Sequence, residues 1–542
     1  MAVTEVAAPS INYAATLSER TKTLIMASVV LGLFLEALDQ TIVATALPAI
    51  VVEFQGIDLL AWVSTGYLLA STALVPIYGK LSDVLGRRTI ILFGIGLFLV
   101  GSVLCGLATS MLQLVIFRCI QGAGAAGIAS TAFAIPADLY PPSERAKATG
   151  FIGAAFGIAS ILGPFIGGFL TDTISWHWIF FVNIPFGLLA AGIILWRMPR
   201  MESGRREPID WLGTGLLLLT VIPLLLALSL DKARYAWGSP LIIGLLALGS
   251  AALVALVWAE RRAQSPIIEG VLFRNRTFAI VAALSAVSGL TLLPTVLFLP
   301  LFLVNVAGVS ATSAGTALIP QTLAVVAAAI ISGNVVQRMG RYKPVLLVGF
   351  AASTVSYVLL ATMTPDTSTF GVVWRVVILG LGLGCVVPLF SLVAQNALPH
   401  RYTGSASATV QFCQQMGGVL GTVVFGALLS ALLAGQFATS VGPLVQALPA
   451  AQQQAINLDE LRNGSVGGEG GTSAGLTLPA DMAPEDADAL RVAVRGAFAD
   501  SVTGVYSYVA VVIVLGLLLT LALPEVPLRK SNEDEPAVAA HP

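Results

Sequence analysis

Long apolar runs separated by short polar links set the pattern of this chain. A helix needs about 20 apolar residues to cross the roughly 30 Å hydrocarbon core of a bilayer. Fourteen runs reach that scale: 24–52, 59–79, 89–108, 112–139, 147–170, 178–197, 211–230, 240–259, 277–305, 312–333, 344–363, 370–398, 404–435 and 503–523. Backbone polar groups inside lipid are satisfied only in helices or closed barrels, and runs this continuous predict helices. The first run is too long for a signal-peptide core and no small-residue cleavage site follows promptly, so it reads as a retained span.

The polar links carry a sidedness. Of 28 basic residues, 21 fall on the side predicted to hold the N-terminus, five on the other, and Arg118 and Arg375 lie within spans. Basic residues accumulate on the cytoplasmic side, so both termini are expected in the cytoplasm of a plasma-membrane protein. Composition agrees. The 542 residues are 56% hydrophobic and 11% charged, with a mean hydropathy of +0.89, where a soluble chain carries about 25% charged residues. The four cysteines stand alone in apolar runs and no Cys/His cluster occurs, so no metal or cofactor is expected. One link, 436–502, is long; it includes an "NGS" sequon at Asn463, a Gly/Ser stretch and an acidic piece starting near Pro484 that reads as a short surface helix.

The chain repeats. "GKLSDVLGRR" begins at Gly79 and "GNVVQRMGRYK" at Gly333, 254 positions apart. Arg118 and Arg375 open small-residue-rich spans 257 apart, and Pro141 and Pro399 follow those spans 258 apart. The predicted organisation is a tail 1–22, a six-helix bundle 23–197, two inserted spans within 198–276, a second six-helix bundle 277–523 with the outer loop 436–502, and a tail 524–542. Paired six-helix halves are the mark of transporters that bind cargo between the halves near the midplane.

Several polar residues stand where lipid makes them costly. Glu36 and Asp39 lie three apart on one helix face, and Asp39 is about 22 Å up the helix from Leu24. Two carboxylates so close in a poorly solvated site do not both ionise easily, which suits a reversible proton carrier; the alternative is a structural pair held by Arg or hydroxyl partners. Arg118 needs a partner or must snorkel to the outer surface. In the link from Gly79, Gly86 permits a tight turn, and Asp83 is placed to pair with Arg87 or to cap a neighbouring helix; a plain basic loop would account for Lys80, Arg87 and Arg88 alone. In span 5, Gly163, Gly167 and Gly168 favour close helix contact and Pro164 a bend. Gln411, Gln414 and Gln415 share a face of span 13; with Gln121, Gln321, Trp62, Tyr67 and Phe412 they either line an amphipathic cavity or bond between helices.

These motifs carry a resemblance. "GKLSDVLGRR" resembles the signature loop of the major facilitator superfamily, "FRCIQGAGAAG" its helix 4 motif, "GIASILGPFIGG" the helix 5 pattern of its antiporters, and "LDQTIVATALPAI" the helix 1 pattern of its fourteen-span drug–proton branch. The likeness covers roughly 24–523. It implies an all-α major facilitator fold, Arg118 beside the helix 1 acid, Asp138 bridging to Arg87, and a span 5 that seals against proton leak. Three departures stand out: Gln337 occupies the position of Asp83 in the second half, span 13 has no Gly-Pro, and Glu36 is an acid beyond the helix 1 pattern.

The expected function is a proton-driven exporter of lipophilic, often cationic, small molecules, with proton and cargo competing for one cavity and no nucleic-acid partner, the chain acting as a monomer. The alternative keeps the fold and exports a lipid, a siderophore or an endogenous antibiotic. An intramembrane enzyme or receptor fits poorly: His177, His400 and His541 all fall outside the spans, and no GxxxxGK[ST] nucleotide loop occurs.

Overall fold

The structure, a computed structural model, describes residues 13–54, 59–201, 208–230, 232, 234–449, 452–453 and 482–529. Among them are fourteen helices long and apolar enough to span a membrane, and no strand. We label the main helix of each span in chain order: α1 Glu19–Phe54, α2 Leu60–Leu85, α3 Arg87–Gly106, α4 Met111–Ala132, α5 Pro142–Thr173, α6 Asn183–Arg197 and α7 Trp211–Ser229. Then follow α8 Pro240–Glu260, α9 Arg276–Asn305, α10 Ile319–Met339, α11 Lys343–Ala361, α12 Thr369–Ala397, α13 Thr403–Gln436 and α14 Pro484–Leu521. The side on which α1 begins is called inner.

Local chemistry sets several of the starts. Ser110, Asp210, Ser239, Asn275 and Ser368 each accept a hydrogen bond from the backbone N–H three residues on, at the first turns of α4, α7, α8, α9 and α12. Each satisfies a donor that the helix leaves open.

Two expectations change. The stretch from Gly79 is not a loop: α2 runs to Leu85, α3 starts at Arg87, and only Gly86, at φ 89°, separates them. Its repeat mate Gly340 has φ 66° and ends α10. Both occupy the positive-φ region that L side chains adopt at a cost. The last span starts at Pro484 rather than 503, so the acidic surface helix and span 14 are one helix of 38 residues. Its first turns are amphipathic: Leu490, Val494 and Phe498 are buried while Asp488 and Arg491 are exposed. An amphipathic extension does not register as an apolar run. At the other end of that link, α13 passes through a π turn, Phe437–Val441, into a short helix, Gly442–Ala447. The sequon at Asn463 and most of both tails lie outside the described residues.

The two sets of six pack alike. In the first, α1 packs on α5 and α6, and α4 on α2 and α3; in the second, α9 packs on α13 and α14, and α12 on α10 and α11. The sets meet at two equivalent seams, α2 on α13 and α5 on α10. Small residues make the seams close. A Cβ at Gly79 would collide with Ala408, one at Gly150 with the carbonyl of Ala329, and one at Gly333 with the carbonyl of Ala146. The inserted α7 and α8 form a hairpin, and α7 reaches both α2 and α13.

Overpacking a close helix crossing costs about 1–3 kcal/mol. At Gly289 in α9 a Cβ would run into the carbonyl of Gln414, whereas at Gly244 in α8 it meets open space. Purified Gly289→Leu is expected to melt below the parent protein and Gly244→Leu with it; equal melting of all three would refute this account of the α9–α13 contact.

Candidate functional site

Helix α1 delivers Glu36 and Asp39 to the interior, 3% and 0% exposed. Asp39 is enclosed by donors from the facing helices. Arg118 Nη1 on α4 donates to Oδ2 at 2.5 Å, Gln121 Nε2 on α4 to Oδ1 at 2.8 Å, and Asn183 Nδ2 on α6 to Oδ1 at 3.0 Å. Ser102 Oγ on α3 accepts from both amides, at 2.8 and 3.3 Å. Arg118 itself is 1% exposed and does not snorkel. Its Nε donates to the Val63 carbonyl at 3.2 Å, and its guanidinium carbon lies 4.3 Å from the Tyr67 ring centroid. Five helices, α1, α2, α3, α4 and α6, thus converge on one carboxylate.

The charges do not balance. Arg118 neutralises Asp39, while Glu36 Oε2 is buried without a hydrogen-bond partner, as are Tyr67 Oη and Asn183 Oδ1. A second negative charge in this site has no counter-ion of its own, and burying an uncompensated charge costs several kcal/mol, on the order of 3–5 when a buried pair is broken.

The second cluster closes the inner side. Arg87 Nη2 lies 2.5 Å from Asp83 Oδ1 and Arg87 Nε donates to Asp138 Oδ2 at 3.1 Å, all three residues being buried. Asp83 also accepts from Gly404 N at 3.1 Å, Ser405 N at 2.8 Å and Ser405 Oγ at 2.8 Å. A carboxylate of the first half thereby caps the N-terminus of α13 in the second, where the helix dipole is positive. Arg87 Nη2 donates to Thr403 Oγ1 at 3.1 Å, and His400 Nε2 lies 3.2 Å from Asp138 Oδ1. Gly404 leaves room for this: a Cβ there would strike Asp83 and Arg87. Lys80 pairs with Glu269 at 2.6 Å, and Arg88 donates to the Leu195 carbonyl at 2.8 Å. Among the described residues no matching latch forms at Gln337; the exposed Arg341 pairs instead with the half-buried Glu525 at 3.0 Å.

Helix α5 ties the clusters together. Its Gly163 and Gly167 face Thr41, Ile42 and Thr45 of α1, and Thr41 Oγ1 donates to the Ala159 carbonyl at 3.1 Å. One to three turns earlier, Gly153 and Gly157 face Ala329 and Val326 of α10. Gly168 faces open space, so it takes no part in this contact. The bend-permitting Pro164 stands within the helix.

The expected cavity residues divide. Gln121 and Tyr67 belong to the Asp39 cluster. Trp62, Gln411, Gln414 and Gln415 are half-buried, with Gln411 Oε1 and Gln415 Oε1 unpartnered. A cavity of about 750 Å³ lies elsewhere, in the outer half between α2, α7 and α13, and none of these residues lines it. The Asp39 cluster and this cavity are separate places, with α2 between them: Tyr67 packs on Arg118 while Leu68 and Leu69 line the cavity. Arg375 does not repeat Arg118; it donates to the carbonyls of Leu359 and Gly371, at 3.0 and 2.5 Å.

Comparison with known proteins follows the same lines. Residues 29–422 match the family model described as the Major Facilitator Superfamily. This chain belongs to that superfamily. Multidrug resistance protein 3 of Bacillus subtilis (strain 168) is 39% identical over 402 residues, 74% of this chain and 78% of that protein. Multidrug transporter protein MdtP of the same organism is 33% identical over 524 residues, 95% of each. Among solved structures, the proton:xylose symporter XylE has a TM-score of 0.61 at 14% identity, covering 95% of this chain and 99% of that one. The human organic anion transporter MFSD10 has a TM-score of 0.57 at 15% identity, covering 91% and 99%. The chain is accordingly a multi-pass membrane transporter of small molecules with homology to multidrug-resistance proteins, and not a catalytic enzyme.

Within this superfamily member, the partners that sequence reading missed are Ser102, Asn183, His400, Thr403, Gly404 and Ser405. Ser102 and Asn183 did leave a signal, as lone polar residues in apolar runs that must find a bond. The residues at the start of α13 left none that pointed to Asp83.

Asp83→Asn removes the capping charge, worth about 1–2 kcal/mol, or a factor of about 5–30 in a two-state ratio. Spin labels at Leu85 and Met339, exposed inner ends of α2 and α10, are expected to report a larger population at long separation in Asp83→Asn. An unchanged distance distribution would show that the cap does not hold the halves together.

Proposed function

We propose that this transporter is a proton-coupled antiporter that exports lipophilic small molecules by alternating access, with both termini in the cytoplasm. The observation that carries the reading is the Asp39 cluster: a carboxylate inside the first bundle, neutralised by Arg118, with a second acid one helical turn away. Such a site toggles by one proton between net −1 and neutral, and its donors reorganise when it does.

The route from proton to motion runs through helix contacts. Losing the charge on Asp39 weakens its hold on Arg118, Gln121 and Asn183, which sit on α4 and α6, and so loosens α1 within its bundle. Helix α5 packs on α1 through Gly163 and Gly167 and on α10 through Gly153 and Gly157, so a shift of α1 reaches the seam between the halves. At the inner side the Asp83 cap and the Arg87–Asp138 pair oppose opening. Proton binding outside the latch and cargo binding between the halves then bias one equilibrium, which is what coupling requires. The names of the two Bacillus relatives support export of drugs as the cargo class.

Exchange in proteoliposomes tests this. Asp39→Asn is expected to abolish efflux driven by a pH gradient while unforced exchange of labelled cargo continues; full gradient-driven efflux in Asp39→Asn would sink the proposal. Glu36→Gln removes the second acid, so the pH dependence of transport is expected to shift while transport persists. An unchanged profile would remove Glu36 from the proton cycle.

A further inference from the structure

We propose that Trp176, in the link between α5 and α6, is the outer gate through which the Asp39 cluster is reached, and that Glu53 at the outer end of α1 holds the gate shut. This goes beyond the reading of Asp39 as a proton site, on which it rests, by giving the side from which that proton arrives and the residue that admits it.

The cluster lies just beneath the outer ends of its helices. Ser102 is one turn from the end of α3, Arg118 is two turns into α4, and Asn183 opens α6. Towards the inner side the bundle is closed by backbone. A Cβ at Gly94 of α3 would meet the Ile128 amide nitrogen of α4, and one at Gly124 of α4 would meet that of Phe98. No change of rotamer opens such a contact. Towards the outer side the cover is made of side chains: Ala46 of α1, Cys105 of α3, Leu114 of α4, and Trp176, Ile179 and Phe180 of the link pack there in one buried apolar layer. A proton and the water that carries it cross such a layer only when a side chain moves aside.

Trp176 is the part of that layer with a polar tether. Its side chain is 3% exposed, and its Nε1 donates to Glu53 Oε2 at 2.6 Å. The indole stacks on His177, 3.7 Å between centroids, and meets Phe54 and Phe180 edge-on at 5.4 and 6.3 Å. The Phe180 ring centroid lies in turn 5.9 Å from the Arg118 guanidinium carbon. A continuous line of contacts thus leads from the exposed Glu53 through two aromatic rings to the partner of Asp39. An indole N–H that ends on an exposed carboxylate is released at small net cost, because water replaces both partners.

Position ties the gate to the movement of the halves. Trp176 follows shortly after the outer end of α5 at Thr173, and Glu53 stands next to the last residue of α1. Helix α5 packs on α1 through Gly163 and Gly167 and on α10 of the second half through Gly153 and Gly157. A shift of α5 with the second half therefore pulls Trp176 against a tether fixed on α1. Access to the Asp39 cluster then follows the orientation of the halves, and a proton bound there biases that orientation in return.

Cys105 reports the opening, since its buried thiol lies 3.7 Å from Gln121 Oε1 at the edge of the cluster. The full chain in phosphatidylcholine nanodiscs is labelled with N-ethylmaleimide, and each native cysteine is read by mass spectrometry. The labelling rate of a buried group follows the population of its open form. Trp176→Ala is expected to speed Cys105 at least about tenfold and Glu53→Leu about threefold, while Cys385 of α12, the measure of general loosening, stays within about twofold of the parent. Trp178→Ala, at a half-exposed ring of the same link, is expected to leave both cysteines at the parent rate. A parent-like Cys105 rate in Trp176→Ala overturns the gate, as does an equal rise at Cys385 or an equal effect of Trp178→Ala. A parent-like rate in Glu53→Leu overturns the tether. Should Trp176→Ala fail to fold, Glu53→Leu, at an exposed position, decides alone. Proton passage is read separately, with pyranine inside sealed liposomes: Trp176→Ala is expected to leak protons, and Trp176→Ala combined with Asp39→Asn to be tight. A leak that is absent, or that survives Asp39→Asn, while Cys105 labelling is fast removes the proton reading of Asp39 and leaves the gate.

Discussion

The ion pair between Asp39 and Arg118 is the constraint around which the first bundle is arranged. A carboxylate and a guanidinium far from water are tolerable only when each is fully engaged. That requirement recruits Gln121 from the same helix as Arg118, Asn183 from α6, Ser102 from α3 and a backbone carbonyl from α2. Helices that could otherwise slide against one another in a uniformly apolar environment acquire a common register from a single charge. Glu36 is the exception, buried beside the cluster with one oxygen unpartnered. Asp39 has a donor at both of its oxygens, so the unbalanced charge of the cluster falls on its closest acid.

The second organising contact uses the same physics at a helix end. Asp83 and Arg87 would be a minor surface pair if exposed. Buried at the α2–α13 seam, they close two problems at once: the open N–H groups of α13 and the charge of Arg87, which Asp138 shares. Gly404 and Gly79 permit the approach that brings them together. The corresponding seam of the other pair of helices relies on backbone contact at Gly150 and Gly333 without a carboxylate. The fold is therefore twofold in its packing and onefold in its electrostatics, so the inner side of the α2 seam opens at a different cost from its mate.

Much of the fold was legible. Fourteen spans follow from apolar length because lipid leaves the backbone no other solution, and most observed helix bounds fall within a few residues of the runs. The early half of α14 was missed since its amphipathic turns satisfy water on one side and protein on the other, which no hydropathy average detects. The candidate site was legible residue by residue: Asp39, Arg118, Asp83, Arg87 and Asp138 all stand where a charge in an apolar setting demands an explanation. The cavity was not. Gln411, Gln414 and Gln415 announce a polar stripe, yet the open volume lies beside an apolar face of the same helix, because voids depend on how far helices splay and not on the polarity of any one of them.

The sequence by itself determined the number of spans, their sidedness as an expectation, the repeat and the list of costly polar residues, since each depends on transfer of side chains and backbone from water to lipid and is local in the chain. Only the tertiary structure decided the partners. Asp39 meets residues 79 and 144 positions away, and Asp83 meets backbone more than 320 positions away. Such pairings depend on distances between helices, and those are set by the glycines at each crossing and by the need to compensate every buried charge at once.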